Sequence, residues 1–475
     1  MKSHHNRFLP LALIGSVLAL VSSGHLQAET LYNWTGATST DWITTTNWTG
    51  GVAAPTGATA DVRLRVANAA NNTLIYSAAE GNTTYANTTG NGSSFRGLVI
   101  ATSSTAGSME ITGGNFSTVG SLSADNIGSV ANGTLTVSGG SYTGTSVGTI
   151  LGQNSSGGIS TLIVGGSGSA TVAVLQMSGA TAIVNLDGGT LTANQIVDVD
   201  NFGAAGLSNT TFNFNGGTLT AGSGAVTAFM TGLSNAYVLS GGAKIDTNGK
   251  DITIGQALLG GGGGLTKSGA GMLTLSAGNT YTGNTTVSEG TLSIGSAYLA
   301  DASSVIIATG AKMDLTFSGD DTVASVKLGA TTYTAPGSYN ATTYPVFFTA
   351  TSTGSLVIPP GGYGSWATTN SVLEGENGDD DDDGISNLVE YALGLDPQDG
   401  DPAPGTFTGN TLTFTKGTEA KAALDVTYKI QTSTTLATGS WTDAAATDTT
   451  NDISFLLPPN QPGGKLFGRL QVTKP

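Results

Sequence analysis

The residues best suited to chemistry lie in one short run: Asp379 to Asp383 are all aspartate, then come Gly384, Ile385, Asn387 and Glu390. Read as a twelve-residue cation loop, Asp379, Asp381 and Asp383 take positions one, three and five. Gly384 falls where such a loop turns sharply, Ile385 offers a backbone carbonyl, Asn387 a direct or water-mediated oxygen, and Glu390 a two-oxygen carboxylate. An all-oxygen donor set suits Ca²⁺, whereas Mg²⁺ gives up its hydration shell reluctantly. Between Glu374 and Asp401 there are eleven acidic residues and no Lys or Arg. Adjacent carboxylates repel one another unless a cation sits among them. The competing reading is a solvated acidic linker.

Elsewhere the chemistry is sparse. The three histidines, His4, His5 and His25, all sit near the N-terminus, and the chain has no cysteine. The expected mature chain therefore lacks His-dependent triads, Cys nucleophiles, and His or thiolate metal sites. Carboxylate, Lys, Tyr and metal-assisted chemistry remain. Asp198 and Asp200 share one face if Ile196–Asp200 is a strand, and an acid–base pair there would suit glycan cleavage. Solvated carboxylates at a turn are the plainer reading. Trp34 and Trp48 lie in two copies of an Asn-Trp-Thr-Gly motif, with Trp42 between them. They are candidate glycan contacts, or aromatic caps closing one end of a β-stack.

Charge narrows the partners. The chain holds 16 Lys and Arg against 32 Asp and Glu, a net charge of −16. Such a surface repels phosphate backbones, so no nucleic acid partner is expected. Lys2 and Arg7 precede an apolar run from Phe8 to Val21 and a small-residue stretch ending at Ala28. That order predicts a signal peptide over residues 1–28 and an exported protein. No later run is apolar for long enough to predict a transmembrane helix in the mature chain.

The elements that must position these residues are repetitive. From about Phe95, short runs of alternating polarity close on glycine pairs whose first members are Gly113, Gly139, Gly165, Gly188, Gly216 and Gly241. Successive intervals are 26, 26, 23, 28 and 25 residues. Alternation at period two buries one face of each strand, and paired glycines permit sharp turns. A unit of that length cannot form a core alone, so successive units must stack. The expected fold class is all-β, a right-handed parallel β-helix (solenoid), with a two-sheet sandwich of hairpins as the alternative. Laps rising about 4.8 Å each would make a rod roughly 40 Å long. Its open edges would allow end-to-end self-association.

Two stretches resemble known families. Leu265-Thr-Lys-Ser-Gly-Ala-Gly-Met-Leu-Thr-Leu275, followed by Asn279-Thr-Tyr-Thr-Gly-Asn-Thr-Thr-Val-Ser-Glu-Gly-Thr-Leu292, resembles the autotransporter-associated β-strand repeat. That resemblance implies a β-helical passenger on a bacterial surface or in the medium. The C-terminal strands lack the pattern of a membrane-embedded translocator barrel, so self-export by that route is not expected. The acidic loop resembles the EF-hand-like loops of thrombospondin type 3 and dockerin modules. With Trp366 before it and Tyr391-Ala-Leu-Gly394 after it, it is similar to a C-terminal module of secreted bacterial proteins. Here it stands as a single loop.

The resulting organisation is a signal peptide at 1–28, a Trp-rich β cap at 29–94, and a solenoid at 95–348 that includes the repeat at 265–295. A linker at 349–362, a helix-loop-helix calcium module at 363–401 and a small β-sandwich at 402–475 follow. The expected role is a non-enzymatic secreted or cell-surface structural and adhesive protein, associated with the outer membrane. Its expected partners are surface polysaccharide or other envelope components, and its cofactor is Ca²⁺. The alternative is a polysaccharide-active or carbohydrate-binding β-helix.

Overall fold

The computed structural model describes residues 30–474 except 61, 68–72, 87–97, 102–104, 121–123, 129–130, 153–157, 199–208, 360, 403 and 459–464. The expected signal peptide and Asp200 lie outside the described residues.

The alternating runs form strands that lie on one another in parallel. One eight-stranded sheet takes one strand from each of eight successive laps, in the order Leu74–Tyr76, Gly107–Ile111, Gly133–Val137, Ile159–Gly165, Thr181–Asp187, Asn209–Phe214, Asn235–Leu239 and Leu258–Gly261. Its register is continuous: Met109 pairs with Leu135, Leu135 with Leu162, Leu162 with Val184, and Val184 with Phe212. These side chains are fully buried, while the intervening Glu110, Thr136, Ile163 and Asn185 face outward and are half-buried. Each inward side chain thus packs on its counterpart one lap away, which is how short units share a core. A hairpin sandwich would give antiparallel pairs between sequence neighbours, and these pairs are parallel.

A second, larger sheet carries two further series of strands. In one, Trp34, Val66, Ile100, Ile127, Leu151 and Met177 follow one another in register. In the other the inward column runs Phe116, Tyr142, Ala170, Leu191, Leu219, Ile245 and Lys267. Three parallel series around one apolar core are consistent with a β-helix. One glycine pair shows two kinds of work: Gly188 takes φ +91, while a Cβ on Gly189 would lie 2.7 Å from Gly168 O. One glycine makes the turn and the other lets neighbouring laps approach.

Two boundaries differ from the sequence reading. Parallel pairing begins at Thr30–Trp34 against Val62–Val66, well before residue 95. It also persists to Gly354–Ile358, which pairs in parallel with Gly319–Thr322 inside the expected linker. Both ends of the ladder are covered by the chain itself. Near the N-terminus, Thr35 N–H donates to Asn47 O and Thr49 N–H to Asn33 O, at 2.7 and 2.9 Å. At the other end Thr331–Tyr333 lies antiparallel on Ser325–Leu328. These segments occupy backbone edges that end-to-end pairing would use.

Beyond Ile358 the architecture changes. Helices α1 (Tyr363–Thr369), α2 (Asn387–Leu393) and α3 (Thr418–Ala423) accompany two small antiparallel sheets. One sheet holds Thr406–Thr408, Thr411–Thr415, Asp452–Leu456 and Thr447–Asp448; the other holds Thr442–Asp443, Thr427–Ser433 and Phe467–Thr473. Phe414 and Ile453 from the first meet Ile430 from the second in one apolar core, to which α2 adds Leu393. Another face of α2 supplies Leu388, Tyr391 and Ala392 to a core with Tyr363 and Trp366 of α1. Helix α2 therefore belongs to both cores.

Candidate cation site

The acidic run leads into α2. Gly384, at φ +91, turns the chain where a bulkier residue would be strained. One carboxylate oxygen from each of Asp379, Asp381 and Asp383 lies within 4.8 Å of the others. Backbone amides hold the three carboxylates in place. Asp383 N–H donates to Asp379 and Asp381 at 3.1 Å, and Gly384 N–H to Asp379 at 2.8 Å. Ile385 N–H donates to Asp383 at 2.7 Å.

Glu390 rises from α2 and is fully buried, yet neither of its carboxylate oxygens has a hydrogen-bond partner among the described residues. Asp381 Oδ2 and Asn387 Oδ1 are likewise buried and unpartnered. A buried carboxylate with nothing to accept from is costly. Burial, followed by the charges of Asp381, Asp383, Asp379 and Asp401, pushes Glu390 up to about 7. The unpartnered atoms are all oxygens and the surrounding charges are all negative. Such a set fits a hard divalent cation.

Two members of this neighbourhood escaped the sequence reading. Asp380 does not join the three clustered carboxylates. It accepts from Leu373 N–H at 2.6 Å, Glu374 N–H at 3.0 Å and the Asn387 amide at 3.0 Å. These hydrogen bonds, led by that from Leu373, hold its carboxyl below the usual range. Asp401 reaches the loop through its backbone, donating to Asp383 at 2.7 Å. Nothing in five consecutive aspartates distinguishes the second from its neighbours. Only the direction each side chain takes does so.

The structure corrects the expected glycan contacts. Trp34, Trp42 and Trp48 are 0, 1 and 3% exposed. Trp42 packs edge-on against Trp48, Tyr76 and Phe116. Its indole N–H donates to Ala54 O, and that of Trp48 to Trp42 O, at 2.9 and 2.7 Å. Rings enclosed in this way offer no face to a sugar, because the end of the apolar core takes them first. Asp198 ends the strand Thr190–Asp198 and accepts from Thr210 Oγ1 at 2.9 Å.

The ladder interior carries polar groups of its own. Asp125 is fully buried and accepts from Thr118, from Tyr142 Oη at 2.7 Å and from Leu98 N–H at 2.8 Å. Burial outweighs these bonds and raises its carboxyl to about 6. Lys267 stands in an inward column, donates to Thr247 Oγ1 at 3.0 Å and Ser268 O at 2.9 Å, and is lowered by burial to about 8.

Comparison with known proteins bears on the ladder. Residues 265–294 match the Passenger-associated-transport-repeat family, over the stretch that resembles the autotransporter-associated repeat. The chain is also similar to the adhesin BmaC autotransporter of Brucella suis biovar 1 (strain 1330), with 36% identity over 120 residues. That alignment covers 23% of this chain and spans only 4% of the adhesin's length. No solved structure matches the chain at a significant level. Among the described residues, no helix is long and apolar enough to cross a membrane.

Proposed function

We propose that this chain is an exported, cell-surface β-solenoid protein with a structural and adhesive role, stiffened near its C-terminus by a bound Ca²⁺. The observation that carries this reading is the parallel stacking of the ladder, into which the passenger-associated repeat is built: Leu265–Ser268 pairs with Thr285–Val287, and Met272–Leu275 with Thr291–Ile294. A stack of this kind extends by adding laps and presents a long, regular, hydroxyl-rich exterior. It suits display and multivalent contact better than enclosing a small substrate. The adhesin relative supports the same direction, as do the few charged groups on the ladder.

The calcium assignment is supported by Glu390 and by the three clustered aspartates. Asp379, Asp381, Asp383 and Glu390 would hold the ion with the Ile385 carbonyl and the Asn387 oxygen. The ion would neutralise the carboxylate that folding buries. Its part is mechanical, because Glu390 belongs to the helix shared by both C-terminal cores.

The test is a polysaccharide and cell-envelope panel, scored for retention and for cleavage by the full chain with calcium or with chelator. Retention without cleavage is the expected result. Cleavage would overturn the non-enzymatic reading, and absence of retention on every surface would overturn the adhesive one.

A further inference from the structure

We propose that Asp380 is the positioning residue of the cation site: it binds no ion itself but turns the Asn387 side chain so that its oxygen is presented to one. This rests on the calcium reading above.

The argument begins with the Asn387 amide. Its nitrogen donates to Gly375 O at 2.8 Å and to Asp380 Oδ1 at 3.0 Å. A carbonyl and a carboxylate can only accept, so the NH₂ group must occupy that side and Oδ1 must point away from both. That oxygen is buried and has no partner among the described residues. Asn387 is also the first residue of α2, three positions before Glu390, so its placement and that of the carboxylate are linked through one helix.

Asp380 is itself held firmly. Leu373 N–H and Glu374 N–H donate to its two oxygens, tying the chain before the loop to the helix after it. The carboxylate thus spans the loop's entrance and exit. Asp382 offers a contrast within the same run: it is exposed, at φ +60. The five aspartates therefore have three different tasks: ligation, positioning and turning.

Partners that orient a metal ligand typically contribute about 10- to 100-fold in affinity. The test is a double-substitution cycle on the full chain. Ca²⁺ affinity is measured by calorimetry, and ion-bound waters are counted from the luminescence lifetime of Eu³⁺ in the site. Asp380→Ala is expected to weaken Ca²⁺ about 10-fold and to admit an additional water, as Asn387→Ala does. Combined with Asn387→Ala it should add almost nothing, staying within about twofold of that single variant. Asp380→Asn keeps an acceptor oxygen and should fall nearer the parent than Asp380→Ala.

Near-ultraviolet circular dichroism checks the fold, and Asp380→Ser, too short to reach Asn387, carries the same cycle if the alanine variant unfolds. Additive losses with an unchanged water count would overturn the proposal, since Asp380 would then act by charge or by general stability. An unsubstituted chain that binds no Ca²⁺ would instead overturn the calcium reading.

Discussion

The ladder and the C-terminal region solve the problem of burying short strands in opposite ways. In the ladder each inward residue rests on a counterpart one lap away, so Phe212 sits between Val184 and Ala236 in the same column. Stability is distributed, and neighbouring laps fold together. Among the described residues after Ile358 there is no such repetition. Two small apolar cores meet on a single seven-residue helix, and that helix also carries a buried carboxylate with no hydrogen-bond partner among the described residues. Repetition spreads the first region's stability over many columns, whereas the proposed cation site would concentrate the second region's in one place.

The severest way to test this contrast is to damage the ladder at one rung. Phe212→Ala removes a fully buried ring that touches Phe214 at 4.5 Å between centroids. A loss of about 3–5 kcal/mol is expected. Hydrogen exchange should rise in the laps beside residue 212 and remain unchanged around α2. Loss of protection along the whole chain would mean that the two regions are not independent.

A smaller effect follows from Asp125, whose carboxyl is raised from 3.8 to about 6. The folded ladder holds this proton more tightly than the unfolded chain does. Its contribution is fully present below pH 3.8 and is lost as pH rises through about 6. At 1.36 kcal/mol per unit, the loss is about 3 kcal/mol by neutral pH. Asp125→Asn should abolish this slope, read as the difference in urea midpoint between parent and variant from pH 4 to 7. An identical slope in both proteins would remove Asp125 as its source.

Asp125 and Lys267 also show where the sequence stops being readable. Glycine pairs and alternation were enough to indicate stacked strands, because both follow from backbone geometry. Inward polar residues break that alternation, and nothing local announces that Tyr142 and Thr118 will surround Asp125. Before residue 95 there is a single glycine pair, Gly50–Gly51, outside the regular spacing of the others, so nothing local marks Thr30–Trp34 as a lap strand rather than a cap. The three tryptophans read first as a plug and second as a sugar platform, since exposure is decided by the chain that folds over them. The spacing of Asp379, Asp381 and Asp383 was legible as a loop. The unpartnered state of Glu390 required the fold.

Calcium should distinguish the regions most directly. At a free concentration 100 times the dissociation constant, the ion stabilises whatever binds it by about 2.7 kcal/mol. Calorimetry with calcium and with chelator should show that shift in a transition assigned to the C-terminal region by limited proteolysis. The ladder transition should not move. Movement of both by the same amount would show that the two unfold as one.

The finest distinction lies in Glu390 itself, because the charge that would bind an ion also burdens the ion-free fold. Glu390→Gln keeps the size of the side chain and removes its charge from beside Asp379, Asp381 and Asp383, whose negative fields act on it. In chelator the variant should be more stable than the parent by about 1–3 kcal/mol, the usual cost of a buried unsatisfied group. Its advantage should be greatest above pH 7, where the parent carboxylate is ionised, and should fade as pH falls toward 4.5. In calcium the order should reverse, since the parent gains an ion that the amide holds poorly. A variant less stable than the parent under both conditions would mean that Glu390 is satisfied without a cation. The C-terminal region would then owe its stability to its two cores alone, as the ladder does to its columns.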